Sequence, residues 1–312
     1  MIDRIDFTDE RFRIAYIFEL APLIRSISEI GLVHPPVLTY REEKAIIVTG
    51  WKRLLACRSL GMASVICSIF EGPSDLDAFR LALEENLTSR LFTLLEKAQI
   101  LTRLIQVGIP ESEVVKGYLT LLDIPRTPNH LDTFLHIAAL DAETKEFIHS
   151  KNTIYPVAEL LTEYSEEQRR LLLPFLHPLG QNKQKELLRN LLEISKRDRN
   201  PIENILKDAQ IQKVSQDPNL SPLQKADAVR TLVYRRRYPT VSAWTDSFRS
   251  SKKDLEWPDG IQIEPSPFFE GEEVEVRFAF KNIDEFKGKL NKINELSSNE
   301  TIAKLLQASP KK

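Results

Sequence analysis

The rhythm of apolar and polar positions changes twice along the chain. Over residues 1–72 short apolar runs alternate with one amphipathic stretch. Residues 4–7 and 12–16 read as strands. In 18–30, Leu20, Leu23, Ile24, Ile27 and Ile30 recur at three- and four-residue steps, the signature of a helix with one apolar face, and Gly31 ends it. Pro35-Pro36 blocks further helix, so 37–40 is expected to pair with 45–48 across the polar turn 41–44. A helix over 51–60 stops at Gly61, and 64–70 reads as a last strand.

From residue 74 to about 199 the period becomes helical almost without interruption. Helices are expected over 75–86, 94–107, 111–122, 128–140, 142–149, 155–164, 166–173 and 183–195. The helices 111–122 and 128–140, joined by the short turn 123–127, have the spacing of a helix-turn-helix. A further helix with a polar tail covers 201–217, and 219–222 reads as a linker or helix start. Then come helices over 223–236 and 241–250, a Pro/Gly-rich segment at 257–271, a strand at 273–281, a helix at 283–296 and a fraying tail. The strand EVEVRFAFK alternates charged and apolar residues and is expected to be half-buried. The pattern predicts a multi-domain α+β protein. Its parts are a small α/β domain over 1–72, a mainly helical domain over 73–218, and a small C-terminal α+β region over 219–312.

Composition narrows the function classes. At 312 residues, with 42% hydrophobic and 28% charged positions, the chain has the make-up of an ordinary globular protein. A formal net charge of −2 means that any nucleic-acid contact must come from a local patch. Cys57 and Cys67 stand without a CxxC or paired histidines, which argues against a disulfide framework or a zinc site. No apolar stretch is long enough to cross a bilayer and the N-terminus lacks a signal-peptide pattern, so a cytoplasmic location without membrane partners is expected.

The stretch most suggestive of chemistry is 31–61, GLVHPPVLTYREEKAIIVTGWKRLLACRSLG. An apolar strand runs into Thr49-Gly50, and a helix opens at once with Trp51-Lys52-Arg53. A helix N-terminus presents unpaired N–H groups and favours an anion, whereas two cations in its first turn oppose the helix dipole. An arriving anion, phosphate above all, would reconcile the two. The plain alternative is that Lys52 and Arg53 are solvated surface charges.

Three stretches together resemble the ParB/sulfiredoxin-like superfamily, and within it the ParB-like partition proteins. LAPLIRSISEIGLVHPP (20–36) resembles the family's helix and its Gly-x-x-x-Pro entry to the sheet. GWKRLLA (50–56) sits where the family has its phosphate cradle, Gly-Glu-Arg-Arg-x-Arg-Ala. Glu85-Asn86-Leu87, followed by Leu95-Glu96-Lys97-Ala98, is similar to the family's next two helices at the family's spacing. The resemblance covers about residues 1–165 and implies CTP and Mg²⁺ bound between the α/β unit and the helices that follow. It implies that Gly50, Lys52 and Arg53 hold phosphates, with Trp51 in the same turn. Glu85, also the candidate for a weak nucleotide-hydrolysing role, and Asn86 would face the triphosphate and its magnesium, a hard ion suited to oxygen ligands. Gly31 and Pro35 would shape the base pocket. Trp51 stands where the family has Glu, Lys52 where it has the first Arg and Leu55 where it has a third. Ser89 replaces a later family Arg, with Arg90 one residue beyond. Sulfiredoxin chemistry is not expected, because Trp51 occupies the position of that branch's cysteine. A nucleotide-dependent phosphotransferase or nuclease, with Glu10, Glu19 or Glu85 as a base, and a ligand-free scaffold are the other readings.

The second helix of the 111–140 pair presents Thr127, Asn129, His130 and Thr133, which can reach base edges, with Arg126 just before it as a further DNA-contact candidate; the plain alternative is that the two helices are only part of a bundle. The pair is acidic on balance: Lys116 and Arg126 against Glu111, Glu113, Asp123 and Asp132. Two later basic stretches could track a phosphate backbone or simply be solvated. One holds Lys183, Lys185, Arg189, Lys196, Arg197 and Arg199; the other is Tyr234-Arg235-Arg236-Arg237-Tyr238. By analogy with the family, a homodimer through the C-terminal region is expected.

Overall fold

The computed structural model describes residues 1–17, 19–88, 90–254, 259–265 and 274–297. Phe18, Ser89, most of the Pro/Gly-rich 257–271 segment, the first residue of the expected strand 273–281 and the C-terminal tail lie outside the described residues. The chain divides into two compact units, Met1–Leu188 and Arg189–Lys312.

The first unit begins with a four-stranded mixed sheet of order β1-β3-β2-β4, formed by β1 (Ile5–Asp6), β2 (Val37–Arg41), β3 (Lys44–Thr49) and β4 (Ser68–Ile69). β3 runs parallel to β1 and antiparallel to β2, and β2 is parallel to β4. The β2–β3 hairpin closes through Glu42-Glu43, with φ of 47° and 69°. Two consecutive left-handed residues are what a two-residue loop needs to match the strands' twist. From Ala45 to Thr49 every residue of β3 is buried, which is why AIIVT is apolar on both faces. Ala45 and Ile47 pack with Leu38, Trp51 and Leu54. Helices α1 (Ala21–Ile30) and α2 (Trp51–Ser59) pack on each other, and α3 (Asp75–Leu87) packs against β3.

Several elements depart from the sequence pattern. Residues 12–16 form no strand: the Arg13 guanidinium satisfies the carbonyls of Ala15 and Tyr16 at 2.9 and 2.7 Å, leaving no ladder. Phe12 and Ile14 are buried nonetheless. Of 64–70 only Ser68–Ile69 pairs as strand, as the exposed edge of the sheet. α1 begins at Ala21, with Pro22 in its first turn.

The helical part continues through α4 (Leu94–Gln106), the short helices α5 (Glu111–Glu113) and α6 (Leu119–Leu121), and α7 (Pro128–Ala139). A π-helical turn at Val114–Tyr118 separates α5 from α6, in the stretch that contains Gly117. α7 packs against α4 and, beyond α8 (Ala142–Ser150), against α9 (Tyr155–Thr162). α10 (Glu166–Leu176) follows, and the division into units falls inside α11 (Gln181–Asp198).

In the second unit the expected single helix over 201–217 is two, α12 (Ile202–Leu206) and α13 (Ala209–Gln216). Asp208 starts the second by accepting the Gln210 N–H at 2.9 Å. α14 (Pro222–Arg237) and α15 (Pro239–Asp254) precede a hairpin of β5 (Ile261–Pro265) and β6 (Val274–Phe278), then α16 (Ile283–Ser297). β5 lies inside the segment read as irregular, and its Ile261 and Ile263 are buried. The partner strand β6 is half-buried at Val274 and Phe278 and exposed between them.

Candidate functional site

The β3–α2 turn is built around Gly50. Its φ of +85° is left-handed, and a Cβ placed there would lie 2.8 Å from Pro36 Cβ and 2.9 Å from Pro36 Cα. Only glycine meets both conditions. Gly50 also begins α2 with no side chain capping the first N–H groups. Beside this turn lies a cavity of about 380 Å³, lined by residues from four places in the chain. Phe12, Ile14, Ala15 and Leu23 form an apolar wall, Val48–Arg53 supply the turn, and Glu85, Asn86 and Arg90 close the opposite side.

Six expected nucleotide-site residues meet here: Gly50, Trp51, Lys52, Arg53, Glu85 and Asn86. Gly31, with φ +76°, ends α1 by donating its N–H to Ile27 O at 2.9 Å and does not line the cavity. Pro35 does not line it either, but its carbonyl and that of His34 accept from Arg53 Nη1 at 3.4 and 2.9 Å. Arg53 Nη2 meets Glu85 Oε1 at 2.5 Å, so one guanidinium ties the loop before β2 to helix α3. Trp51 is 7% exposed and belongs to the core, with Phe7 edge-on at 6.5 Å and the Arg13 guanidinium over its ring at 6.0 Å. It fills the base of the site as a packing residue. Lys52 makes no ion pair among the described residues. Glu10 is ion-paired with Arg13 and lies outside this lining.

Arg90, noted in the sequence only as lying one residue beyond a family Arg, completes the site together with Thr49 and the apolar wall. Arg90 donates from Nε to Asn86 Oδ1 at 3.2 Å and from Nη1 to Glu96 Oε2 at 2.8 Å. Glu96 is only 3% exposed. Burial pushes its carboxyl pKa up, but the Arg90 guanidinium and the Thr93 N–H and hydroxyl outweigh that and hold it below the ordinary carboxylate value. Thr49 Oγ1 is buried with no hydrogen-bond partner among the described residues. The lining thus carries three cations, Lys52, Arg53 and Arg90, against one carboxylate, Glu85. Such a site favours a polyanion.

The DNA-contact candidates cluster at the start of α7 but differ in access. Thr127 caps the helix through the His130 N–H at 3.3 Å, and its hydroxyl also meets His130 Nδ1 at 2.6 Å. The His130 ring stacks on Tyr155 at 5.5 Å. Thr133 is 8% exposed and its hydroxyl donates to Asn129 O at 2.9 Å. Arg126 and Asn129 are exposed, with Arg126 Nε donating to Thr120 Oγ1. The basic run 235–237 is engaged within its own unit: Arg235 with Asp246, Arg236 with Asp198, and Arg237 with Glu193. Arg197 adds bonds to the carbonyls of Arg236 and Arg237, both at 3.1 Å.

Over about half its length the chain is similar in sequence to curated ParB proteins. It is 27% identical over 157 residues to the "Probable chromosome-partitioning protein ParB" of Campylobacter jejuni, an overlap covering 49% of this chain and 53% of that protein. It is 27% identical over 169 residues to the protein of the same name from Chlamydia muridarum, covering 52% of this chain and 58% of that one. The chain therefore spans little more than half the length of these curated relatives. No protein-family model matches it. Among solved structures, it is similar to C-terminally truncated Caulobacter crescentus ParB complexed with CTP-γ-S. That match has 19% identity and a TM-score of 0.26, over 53% of this chain and 91% of that one. The complex of the same protein with the centromeric parS site gives 16% identity and a TM-score of 0.34, over 60% of this chain and 96% of that one. Superpositions this loose assign no residue of this chain. Among the described residues no helix is long and apolar enough to cross a membrane.

Proposed function

We propose that this chain is a ParB-like DNA-associated protein whose Gly50 cavity holds a nucleoside triphosphate, CTP by resemblance, together with Mg²⁺. The observation that carries the reading is the convergence of an uncapped helix start, Lys52, Arg53 and Arg90 on one cavity beside a turn that only glycine can make. The buried, unpartnered Thr49 hydroxyl and the excess of cations fit a phosphate chain. The donor set also fits magnesium held in part by phosphate. Glu85 offers a carboxylate and Asn86 an amide oxygen, and among the described residues there is no cluster of three His, Cys, Asp or Glu that would form an all-protein cage.

In this reading the metal supplies charge neutralisation between phosphate oxygens. Lys52 and Arg53 orient the phosphates from the start of α2, while Arg90 does so from the end of α3. The apolar wall of Phe12, Ile14 and Leu23 excludes water from the rest of the ligand. Arg53 holds Glu85 through an ion pair; were magnesium bound, Glu85 and Asn86 would be the side chains offering it oxygen ligands. DNA contact is assigned to the start of α7, through Arg126 and Asn129, in a helix-turn-helix with the 111–121 stretch. The active form is a homodimer in the cytoplasm, associated with the nucleoid.

The test is calorimetric titration with CTP, ATP and GTP in the presence of Mg²⁺, beside Arg53→Ala. Loss of a charge-assisted contact weakens binding by about 1.5–3 kcal/mol, tenfold or more. CTP binding weakened to that extent in the variant supports the proposal. ATP preference with turnover lost in Glu85→Ala moves the chain to the phosphotransferase reading. Silence with all three, from folded protein, removes the nucleotide from the account.

A further inference from the structure

The carboxylate of Glu96 lies behind the cavity, outside its lining, yet it holds both of the cavity's facing walls. Its Oε1 accepts the Tyr16 N–H at 3.3 Å, at the end of the segment that contributes Phe12, Ile14 and Ala15. Its Oε2 accepts from Arg90 Nη1 at 2.8 Å and from the Thr93 N–H at 2.9 Å. Arg13 keeps the first wall compact through the carbonyls of Ala15 and Tyr16. On the second wall, Phe92 lies under the Arg90 guanidinium at 5.2 Å and Asn86 Oδ1 accepts a hydrogen bond from its Nε. Every part of that guanidinium is therefore fixed except Nη2, which is buried and has no hydrogen-bond partner among the described residues. A buried guanidinium nitrogen without an acceptor is costly, and because Arg90 lines the cavity, a small shift of the side chain on ligand arrival would give that nitrogen an oxygen.

We propose that Glu96 is the positioning residue of this cavity, clamping the 12–16 wall to the α3–α4 loop and setting the Arg90 guanidinium in the cavity lining for an anionic ligand. The proposal rests on the polyanion reading of the site and adds to it how the third cation is set. The capping box that Glu96 makes with Thr93 at the start of α4 is a separate, structural use of the same side chain. Thr93→Ala removes the capping hydroxyl and leaves Arg90 and Tyr16 untouched, so the two uses separate experimentally.

Two measurements decide the proposal. The first is hydrogen exchange in ligand-free protein. Glu96→Gln is expected to speed exchange of the Tyr16 amide, and Thr93→Ala to leave it unchanged while lowering the melting temperature. The second is calorimetry with magnesium CTP and magnesium inorganic triphosphate. Glu96→Gln and Arg90→Ala are each expected to weaken binding about tenfold, and the double variant to bind no more weakly than Arg90→Ala alone. Unchanged Tyr16 exchange in Glu96→Gln, or losses that multiply in the double variant, would overturn it. If neither probe binds the wild-type protein, the nucleotide reading fails, and the Tyr16 exchange alone decides whether Glu96 sets the walls. Should Glu96→Gln not fold, Arg90→Ala carries the test, and wild-type affinity in it refutes the proposal.

Discussion

At the scale of single residues, the site depends on one position where no side chain fits. Gly50→Ala combines a left-handed backbone, worth about 1–2 kcal/mol against an L-residue, with a methyl group 2.8 Å from Pro36. The expected loss is about 2–3 kcal/mol of folding stability, read from the denaturant midpoint. A loss under about 0.5 kcal/mol would mean that the turn relaxes freely. Gly50, Lys52 and Arg53 could be singled out because a glycine turn between strand and helix leaves a local mark, whereas Glu85 and Asn86 were picked out only through the family resemblance; the fold brings all five to one cavity. Arg90, Thr49 and Glu96 were not legible as a group. Their roles come from tertiary neighbours: Arg90 is significant only because Glu96 and Asn86 aim it, and Thr49 only because β3 is covered on both sides. Trp51 stands at the turn in sequence, but its burial with Leu38 and Leu54 makes it a packing residue.

At the scale of elements, the β2–β3 hairpin carries a local conflict. Glu42 and Glu43 occupy left-handed positions that Asn and Gly adopt far more readily. Replacing them together by Asn-Gly is expected to stabilise the protein by about 1 kcal/mol and raise its melting temperature. A fall in melting temperature would show that the two carboxylates contribute more than the strain costs. Most helices are visible in the sequence because buried faces dictate their period, although 201–217 is two helices and 111–122 is interrupted by a π-helical turn, whereas strands were harder. The 12–16 stretch alternates like a strand, yet Arg13 takes its carbonyls, and β5 was hidden in a segment whose glycine and prolines suggested a loop.

Acid sensitivity also belongs at this scale. Glu96 at the start of α4 and Asp141 at the start of α8 both have pKa values lowered in the fold. In each, burial is opposed by hydrogen bonds at the helix start and by an arginine, Arg90 or Arg169. A depressed carboxylate stabilises the fold above its ordinary value, 4.5 for Glu96 and 3.8 for Asp141, and loses that contribution as pH falls through the folded value. Stability is therefore expected to decline below about pH 4.5, more shallowly in Glu96→Gln. An identical acid limb in that variant would remove Glu96 from the account.

At the scale of the whole molecule, a formal net charge of −2 gives DNA no general attraction, so the proposed DNA binding would have to come from a few placed cations. The run Arg235–Arg236–Arg237 is the densest basic sequence in the chain, and on sequence alone it competes with α7 for that role. Its guanidiniums face Asp246, Asp198 and Glu193, so each phosphate contact there must first break an ion pair. Arg126 bonds only a threonine hydroxyl among the described residues and keeps its charge available. Each phosphate neutralised adds about 0.9 to the slope of log affinity against log salt. Arg126→Ala is therefore expected to reduce that slope by about 1 on a duplex carrying the recognised site. Arg236→Ala is expected to leave the slope unchanged while lowering the melting temperature. The reverse pattern, a slope lost at Arg236 and kept at Arg126, would move DNA contact from α7 to the second compact unit. The Gly50 cavity of the first unit, proposed to hold nucleotide, would then stand without a DNA surface of its own.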